Sequence, residues 1–235
     1  MLMSWHELLF IHYPLPAAAI REFIPPTLTI DEFDGSAWVG IVPFRMTGIR
    51  HRWLPPLPGC SAFPELNVRT YVRAADGRPG VWFFSLDAPH RLAVTVARKR
   101  FHLAYMDAAM TTRPRGDWIE YHARRPGPRT TFAFGAARSS TAELHLRYQP
   151  AGDVSHPSPA TLEHFLTTRY CLYAFGNSRL WRGEIDHDPW PLRPARAIIE
   201  RNTMLDQLGL NAGPAPLLHY AHRLDVVAWL PAAVG

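Results

Sequence analysis

The chain has 235 residues, and its 47% hydrophobic and 19% charged residues are typical of a globular protein rather than a disordered one. A net charge of +5 permits an anionic ligand, but the basic residues are scattered and accompany no nucleic-acid-binding motif, so nucleic-acid binding is not expected. The two cysteines lack CxxC spacing, and the sequence shows no secretory signal pattern, so a cytoplasmic protein is predicted. No apolar run reaches about 18 residues, so no membrane span is predicted.

Frequent prolines and glycines divide the chain into short elements, which favours strands over a helical bundle. Residues 5–13 form the first predicted strand, and residues 17–24 form a short helix. A second strand spans residues 36–46, where Pro43 indicates an edge or a bulge. The proline-rich residues 50–58 are predicted to be a loop.

The stretch 63–72 alternates as a strand with two different faces does. One face is apolar or β-branched, and the other carries Phe63, Glu65, Asn67, Arg69 and Tyr71. On a solvated sheet this polar face would simply make cross-strand ion pairs. If the face lines a cavity, its carboxylate, amide and guanidinium converge on a ligand. The alternation alone leaves both interpretations open.

Residues 80–87 and 92–102 continue an antiparallel meander, and residues 103–110 are predicted to form a helical turn. Later strands are predicted at 118–124, 130–136, 142–148, 169–175, 180–187 and 217–230. Ser158 is the predicted cap of a helix over residues 160–166, and Gly209 closes a short helix at 203–208. About ten strands in one domain spanning residues 1–235 favour a closed or nearly closed antiparallel sheet.

Several ordered segments together carry a family resemblance: residues 5–10, 35–40, 63–72, 80–87, 97–98, 169–173, 187–192 and 216–219. They resemble the YqjF-like family of uncharacterised bacterial proteins, which belongs to the acetoacetate decarboxylase-like superfamily. The resemblance covers nearly the whole chain. It implies a mainly β (α+β) fold, a cone-like antiparallel β-barrel with an internal cavity and a few peripheral helices.

The resemblance also aligns parts of the decarboxylase active site with this chain. Glu65 matches a decarboxylase glutamate, and Arg98 matches an arginine. The position of the Schiff-base lysine is occupied by Tyr105, and that of the neighbouring lysine by Met106. An arginine near the decarboxylase N-terminus falls at or near His6.

The missing lysine excludes imine chemistry at this site. Acetoacetate decarboxylase forms its imine with a lysine whose pKa is lowered by a cationic neighbour, and a tyrosine such as Tyr105 cannot form an imine. Lys99 is the single lysine of the chain, and strand alternation places it on the face opposite Arg98. Imine-forming decarboxylation is therefore rejected.

The candidate site is an acid/base and anion-binding set without a metal or a cofactor. Glu65 is the predicted acid/base group and Tyr105 a proton donor, while the predicted ligand contacts are Asn67, Arg69, Arg98, His6 and His219. His219 is equally well explained as a hydrogen-bonded core histidine. The acidic run 184–188 contains metal-ligand residue types, but no further ligands match it, so a surface role is favoured. Cys60 and Cys171 are predicted to be inert thiols.

These residues predict that the protein binds a small carboxylate- or carbonyl-bearing metabolite. Acid/base lyase, isomerase or hydratase chemistry suits them better than covalent catalysis. The alternative is a non-catalytic sensor or carrier that uses the same cavity. The sequence leaves open the identity of the ligand and whether the chain forms a homo-oligomer.

Overall fold

The computed structural model describes residues 1–51, 53, 55, 61–89, 101–127, 134, 141–211, 213 and 215–234. Most of the predicted strand over residues 92–102 and of that over residues 130–136 lies outside the described residues. Arg98, Lys99 and Cys60 also lie outside the described residues.

The described part of the chain is mostly β-structure. Its strands are β1 (Leu2–Leu15), β2 (Thr29–Ile30), β3 (Ala37–Arg50), β4 (Phe63–Arg73), β5 (Pro79–Ala88), β6 (Tyr105–Asp107), β7 (Ala109–Arg115), β8 (Trp118–Arg125), β9 (Ala142–Pro150), β10 (Cys171–Gly176), β11 (Arg179–His187), β12 (Arg193–Asn202), β13 (Leu217–Ala228) and β14 (Ala232–Ala233). Helical segments include α1 (Leu162–Thr167) and the 3-10 helices Ala17–Ala19, Arg21–Phe23 and Asp206–Leu208. The prediction of a mainly β chain is confirmed.

Strand pairing closes part of the sheet into a ring. From β11 the hydrogen-bonded path runs through β10, β5, β4, β3 and β1 to β13, and β13 pairs again with β11. Strands β12, β9, β8 and β7 continue the sheet from β13 beyond the ring. Most pairings are antiparallel, as expected, but β5 pairs in parallel with β10 at its start and with β6 at its end. These two short pairings share the edge of β5 that faces away from β4.

The core between the ring and its extension is apolar. Side chains from the outer faces of β1, β3, β4 and β5 pack in one cluster with side chains of β8 and β9. Leu66 and Val68 of β4 belong to this cluster, together with Tyr121 of β8 and Leu146 of β9. A second cluster, which contains Phe10, lies on the inner side of β1, β3 and β13. The ring strands are therefore buried on both faces.

Three local predictions are wrong. Residues 17–24 form two 3-10 turns rather than one helix. Residues 103–110 contain β6 and the start of β7, because β6 pairs with the free edge of β5. The helix predicted to begin after Ser158 begins after Thr161, whose hydroxyl accepts a hydrogen bond from the amide of His164. Gly209, in the left-handed conformation at φ 66°, ends the 3-10 helix Asp206–Leu208.

Candidate functional site

The ring encloses a cavity of about 460 Å³. All seven ring strands contribute to its lining, through side chains that include Trp5, Phe44, Glu65, Phe83, Leu172, Ile185 and Ala228. Most of the lining side chains are apolar. The volume falls within the range of about 300–1,000 Å³ that is typical of small-molecule sites. The cavity is therefore the natural candidate for a ligand site.

The polar face of β4 forms one wall of this cavity. Phe63, Glu65, Asn67 and Arg69 line it, while Leu66 between them packs into the outer core. The period of two along a strand explains this division, because successive side chains point to opposite faces. The structure thus supports the cavity interpretation of this face over the solvated one.

Glu65 is a buried carboxyl group with little electrostatic compensation. Its residue is 3% exposed, and the hydroxyl of Tyr105 donates to its Oε2 at 3.1 Å. Burial raises the pKa of Glu65 to about 8, which the Tyr105 hydrogen bond partly opposes and the charge of Asp87 reinforces. Glu65 is therefore protonated at neutral pH and can either donate or accept a proton near that pH.

Tyr105 reaches Glu65 because β6 pairs in register with β5, with Tyr105 opposite Leu86. Burial and the neighbouring Glu65 raise the pKa of Tyr105 well above its ordinary value. The phenol therefore keeps its proton. Tyr105 is suited to hold Glu65 in place by hydrogen bonding rather than to transfer its own proton.

Asn67 and Arg69 have hydrogen-bonding capacity that the described residues leave unused. Asn67 is 6% exposed, and its Oδ1 is buried with no partner among them. Arg69 donates from Nη2 to the carbonyl of Leu166 at 3.3 Å and to the hydroxyl of Tyr71 at 3.5 Å, but its Nε has no partner. No carboxylate of the described residues lies within salt-bridge distance of Arg69. A partly buried cation without a counter-ion gains from an ionised partner, so this wall favours an anionic ligand.

Arg169 also lines the cavity, but its charge is already compensated. Its Nη1 lies 2.6 Å from Asp31 Oδ2, and its guanidinium lies 4.3 Å from the ring centre of Phe165. Arg169 therefore has a carboxylate partner, whereas Arg69 has only neutral acceptors and the rings of Phe10 and Tyr71. Of the two arginines, Arg69 is the better anion contact.

His187 is a cavity residue that the sequence analysis missed. Its Nδ1 lies 2.7 Å from the carbonyl oxygen of Asp188, so Nδ1 carries the proton and Nε2 is an acceptor. Nε2 is buried without a partner among the described residues. Burial lowers the pKa of His187, which keeps the ring neutral at pH 7. The sequence presents His187 only within an acidic run, and nothing local shows that it faces inward.

A family model described as an uncharacterized conserved protein, DUF2071, matches residues 2–225. The chain belongs to this family. It is 40% identical over 230 residues to the uncharacterized protein YqjF of Bacillus subtilis strain 168, covering 97% of this chain and 90% of YqjF. The resemblance expected from the sequence is therefore confirmed.

Solved structures place this DUF2071 chain in the acetoacetate decarboxylase-like fold. The enduracididine biosynthesis enzyme MppR complexed with pyruvate matches with a TM-score of 0.64 at 12% identity, covering 100% of this chain and 90% of that chain. Acetoacetate decarboxylase from Legionella pneumophila matches with a TM-score of 0.63 at 11% identity, covering 100% and 88%. At these identities the similarity shows the fold alone.

Two predicted ligand contacts lie elsewhere than expected. His6 does not line the cavity, because Glu7 adopts a positive φ of 55° at a bulge in β1, so Trp5 and Leu8 face inward instead. The ring of His6 contacts the Thr47 hydroxyl at 2.8 Å. His219 lies outside the cavity lining, with its Nε2 4.0 Å from Glu163 of α1.

The described residues contain no group of three or more His, Cys, Asp or Glu side chains arranged to hold a metal ion. Cys171 is a buried free thiol that donates to the carbonyl of Pro79 at 3.1 Å, and burial raises its pKa. This environment agrees with the expected inertness of Cys171, since the reactive thiolate is disfavoured. Among the described helices, none has the length and apolar character needed to cross a membrane.

Proposed function

We propose that this chain binds a small metabolite bearing a carboxylate or carbonyl group in the ring cavity, and that Glu65 acts on it as an acid/base group. The observation that carries the proposal is the composition of the β4 wall. There, a carboxyl group with a pKa of about 8 shares the cavity with Asn67 and Arg69, whose Oδ1 and Nε have no partner among the described residues. Lyase, isomerase and hydratase reactions need such a combination.

The binding part of the proposal rests on hydrogen-bonding groups that lack partners among the described residues. A guanidinium in a site of low dielectric constant gains most from an ionised acceptor, and an arginine can bind a carboxylate with two parallel hydrogen bonds. Arg69 has this capacity, and the Oδ1 of Asn67 can accept a hydrogen bond from a hydroxyl group of the ligand. MppR, a protein of the same fold, has been solved with pyruvate, which is a small oxo acid. That complex supports the ligand class and says nothing about the reaction of this chain.

The catalytic part rests on two titratable groups with opposite protonation. Glu65 holds a proton near pH 7, whereas His187 is neutral and has an acceptor nitrogen without a partner. In a dehydration, His187 Nε2 would take the proton from the carbon beside the carbonyl group. Glu65 would give its proton to the departing hydroxyl group, which leaves as water. Solvent-mediated proton transfer from His187 to Glu65 would then restore the starting state.

The first experiment is a thermal-shift screen of the full chain against oxo acids, other carboxylates and aldehydes. A ligand at about 100 times its dissociation constant stabilises by roughly 2.7 kcal/mol, which corresponds to roughly 5–10 °C for a chain of this size. Arg69→Met should abolish the shift caused by a carboxylate. Arg196→Met, which removes an exposed arginine from β12, is the matched control and should leave the shift unchanged. A flat response across the panel would overturn the proposal.

The second experiment separates catalysis from binding. With a ligand from the screen, turnover is measured in the original protein and in Glu65→Gln, which preserves the shape of the side chain. Loss of turnover with retained binding supports the acid/base role. Full turnover in the variant refutes that role, and binding without turnover in the original protein identifies a sensor or carrier.

A further inference from the structure

The polar groups of the cavity lie at different depths along β4. Arg69 lies opposite Gly40 of β3, whereas Glu65 lies four residue pairs further along the ladder, opposite Phe44. Four residues of a strand span about 13 Å. Arg69 lowers the pKa of His187, but it is not among the groups that shift the pKa of Glu65. The anion contact Arg69 and the acid/base group Glu65 therefore lie at separate positions along one wall of the cavity.

The Arg69 end of the cavity is closed. Helix α1 packs there, with the carbonyl of Leu166 accepting from Arg69 and the ring of Phe165 lying 5.3 Å from that of Tyr71. The opposite end is formed by apolar residues near both chain ends, including Met3 and Trp229, and Trp229 is 53% exposed. A ligand entering from that rim would pass Glu65 before it reaches Arg69.

Apart from a few polar residues such as Arg169 and His187, the remaining walls between these ends are mostly apolar. They include Val42, Phe44, Phe83, Leu86, Leu172 and Ile185. A three-carbon acid at Arg69 would leave most of this apolar surface and most of the 460 Å³ uncovered. An alkyl or aryl body would cover it, and burying apolar surface is the main driving force for such binding.

Resting on the proposed function, we infer that the ligand is an elongated amphiphilic acid. Its carboxylate lies against Arg69 at the closed end, and its alkyl or aryl body extends past Glu65 towards the rim. The group that Glu65 protonates is then separated from the carboxylate by several bonds or carried on the body itself. The substrate class is a medium-chain or aryl oxo acid rather than a three-carbon one.

The test is a length series of ligands with the unmodified full chain. Dissociation constants are measured by calorimetry for straight-chain 2-oxo acids from pyruvate to 2-oxooctanoate, with phenylpyruvate as the aryl member. Burial of each methylene should lower the dissociation constant about fourfold until the body reaches the rim. The amides of the same acids should bind much more weakly at every length, because they lack the charge that pairs with Arg69.

A cavity variant checks where the body lies. Ala228→Phe places a ring in the apolar part of the lining, and it should weaken the long acids while leaving pyruvate unchanged. Ala109→Phe, on the exposed surface of β7, is the matched control and should change neither. Arg69→Met should weaken all lengths by a similar factor.

The outcomes distinguish this inference from the proposed function. If pyruvate binds as tightly as the longer acids, the elongated ligand is wrong while carboxylate binding stands. If no acid of any length binds, both are wrong. If the long acids bind but Ala228→Phe does not affect them, the body does not occupy the apolar part of the cavity, which also overturns the inference.

Discussion

Strands β4 and β5 carry two groups of buried polar side chains, one on each face of the sheet. On the outer face, Arg125 donates to both carboxylate oxygens of Asp87 at 2.7 Å and to the Ser85 hydroxyl at 2.9 Å. Arg125 also donates to the Oε1 of Gln207 at 2.5 Å, and Gln207 donates onward to the carbonyl of Met204 at 2.6 Å. We call Ser85, Asp87, Arg125 and Gln207 the Arg125 network.

The cavity face is buried at Glu65 and Asn67 and partly buried at Arg69, and its polar groups are less completely paired. Glu65 has one hydrogen bond, from Tyr105, while Asn67 and Arg69 retain atoms without partners among the described residues. Native proteins pair nearly all of their buried polar groups, so unpaired ones need an explanation. The difference between the faces teaches that burial alone does not identify a site. Unused hydrogen-bonding capacity in the lining of a cavity is more informative, because a ligand there can supply the missing partners.

The largest expected effect is the loss of the Arg125 network. Arg125→Met leaves the Asp87 carboxylate buried without its cation, and removing one partner of a buried pair costs about 3–5 kcal/mol. We expect urea denaturation to show this decrease in the free energy of unfolding. The matched control is Arg196→Met on the exposed surface, which should stay within about 0.5 kcal/mol. Equal effects of the two variants would contradict a structural role for the network.

The next effect is a pH dependence of the free energy of unfolding, caused by the titration of Glu65. Its pKa is about 8 in the folded chain and ordinary in the unfolded chain, so the folded state binds the extra proton between these values. The free energy of unfolding should therefore fall as pH rises from about 5 to 8, by roughly 1.4 kcal/mol per pH unit, and level off above pH 8. Thermal unfolding of Glu65→Gln at the same pH values should lack this decrease. Parallel pH profiles would show that Glu65 is not the buried acid.

Asn67→Leu should raise the free energy of unfolding, whereas Arg125→Met should lower it. The Asn67 amide is buried with an unpartnered oxygen, and such a group costs about 1–3 kcal/mol. A leucine of similar shape removes that cost, so the free energy of unfolding should rise by about 1–2 kcal/mol while carboxylate binding is lost. Urea denaturation and calorimetry measure the two effects. A loss of stability would mean that Asn67 is a structural residue and would remove the contrast between the two faces.

The alternation of residues 63–72 was sufficient to predict which β4 side chains share the cavity, because the period of a strand is fixed by its geometry. His6 was predicted from the family resemblance instead, by its match to a decarboxylase arginine, and that match does not report the bulge at Glu7, on either side of which Trp5 and Leu8 face the cavity. His187 could not be found this way, because its inward position depends on the distant pairing of β11 with β13.

Strand β12 was not predicted, although its alternation of apolar and polar residues is typical of a strand. Arg193–Asn202 contains Pro194 and several charges, which argue locally against a strand. Nevertheless Ala195, Ala197 and Ile199 alternate with more exposed residues and pack against the outer core. The pairing of β12 with β9 decides the conformation, and no local propensity reports that pairing.

The smallest effect concerns the cap of α1, where sequence and structure disagree. Thr161 accepts from the amide of His164, so Thr161→Ala should lower the free energy of unfolding by about 1 kcal/mol, or roughly 2–4 °C in Tm. Ser158 is exposed and contributes its backbone carbonyl, so Ser158→Ala should leave Tm unchanged. Because α1 closes the cavity through the Leu166 carbonyl on Arg69, Thr161→Ala should also weaken carboxylate binding slightly. If Ser158→Ala were the more destabilising change, the helix would begin where the sequence predicted. The description of how α1 closes the Arg69 end of the cavity would then be wrong.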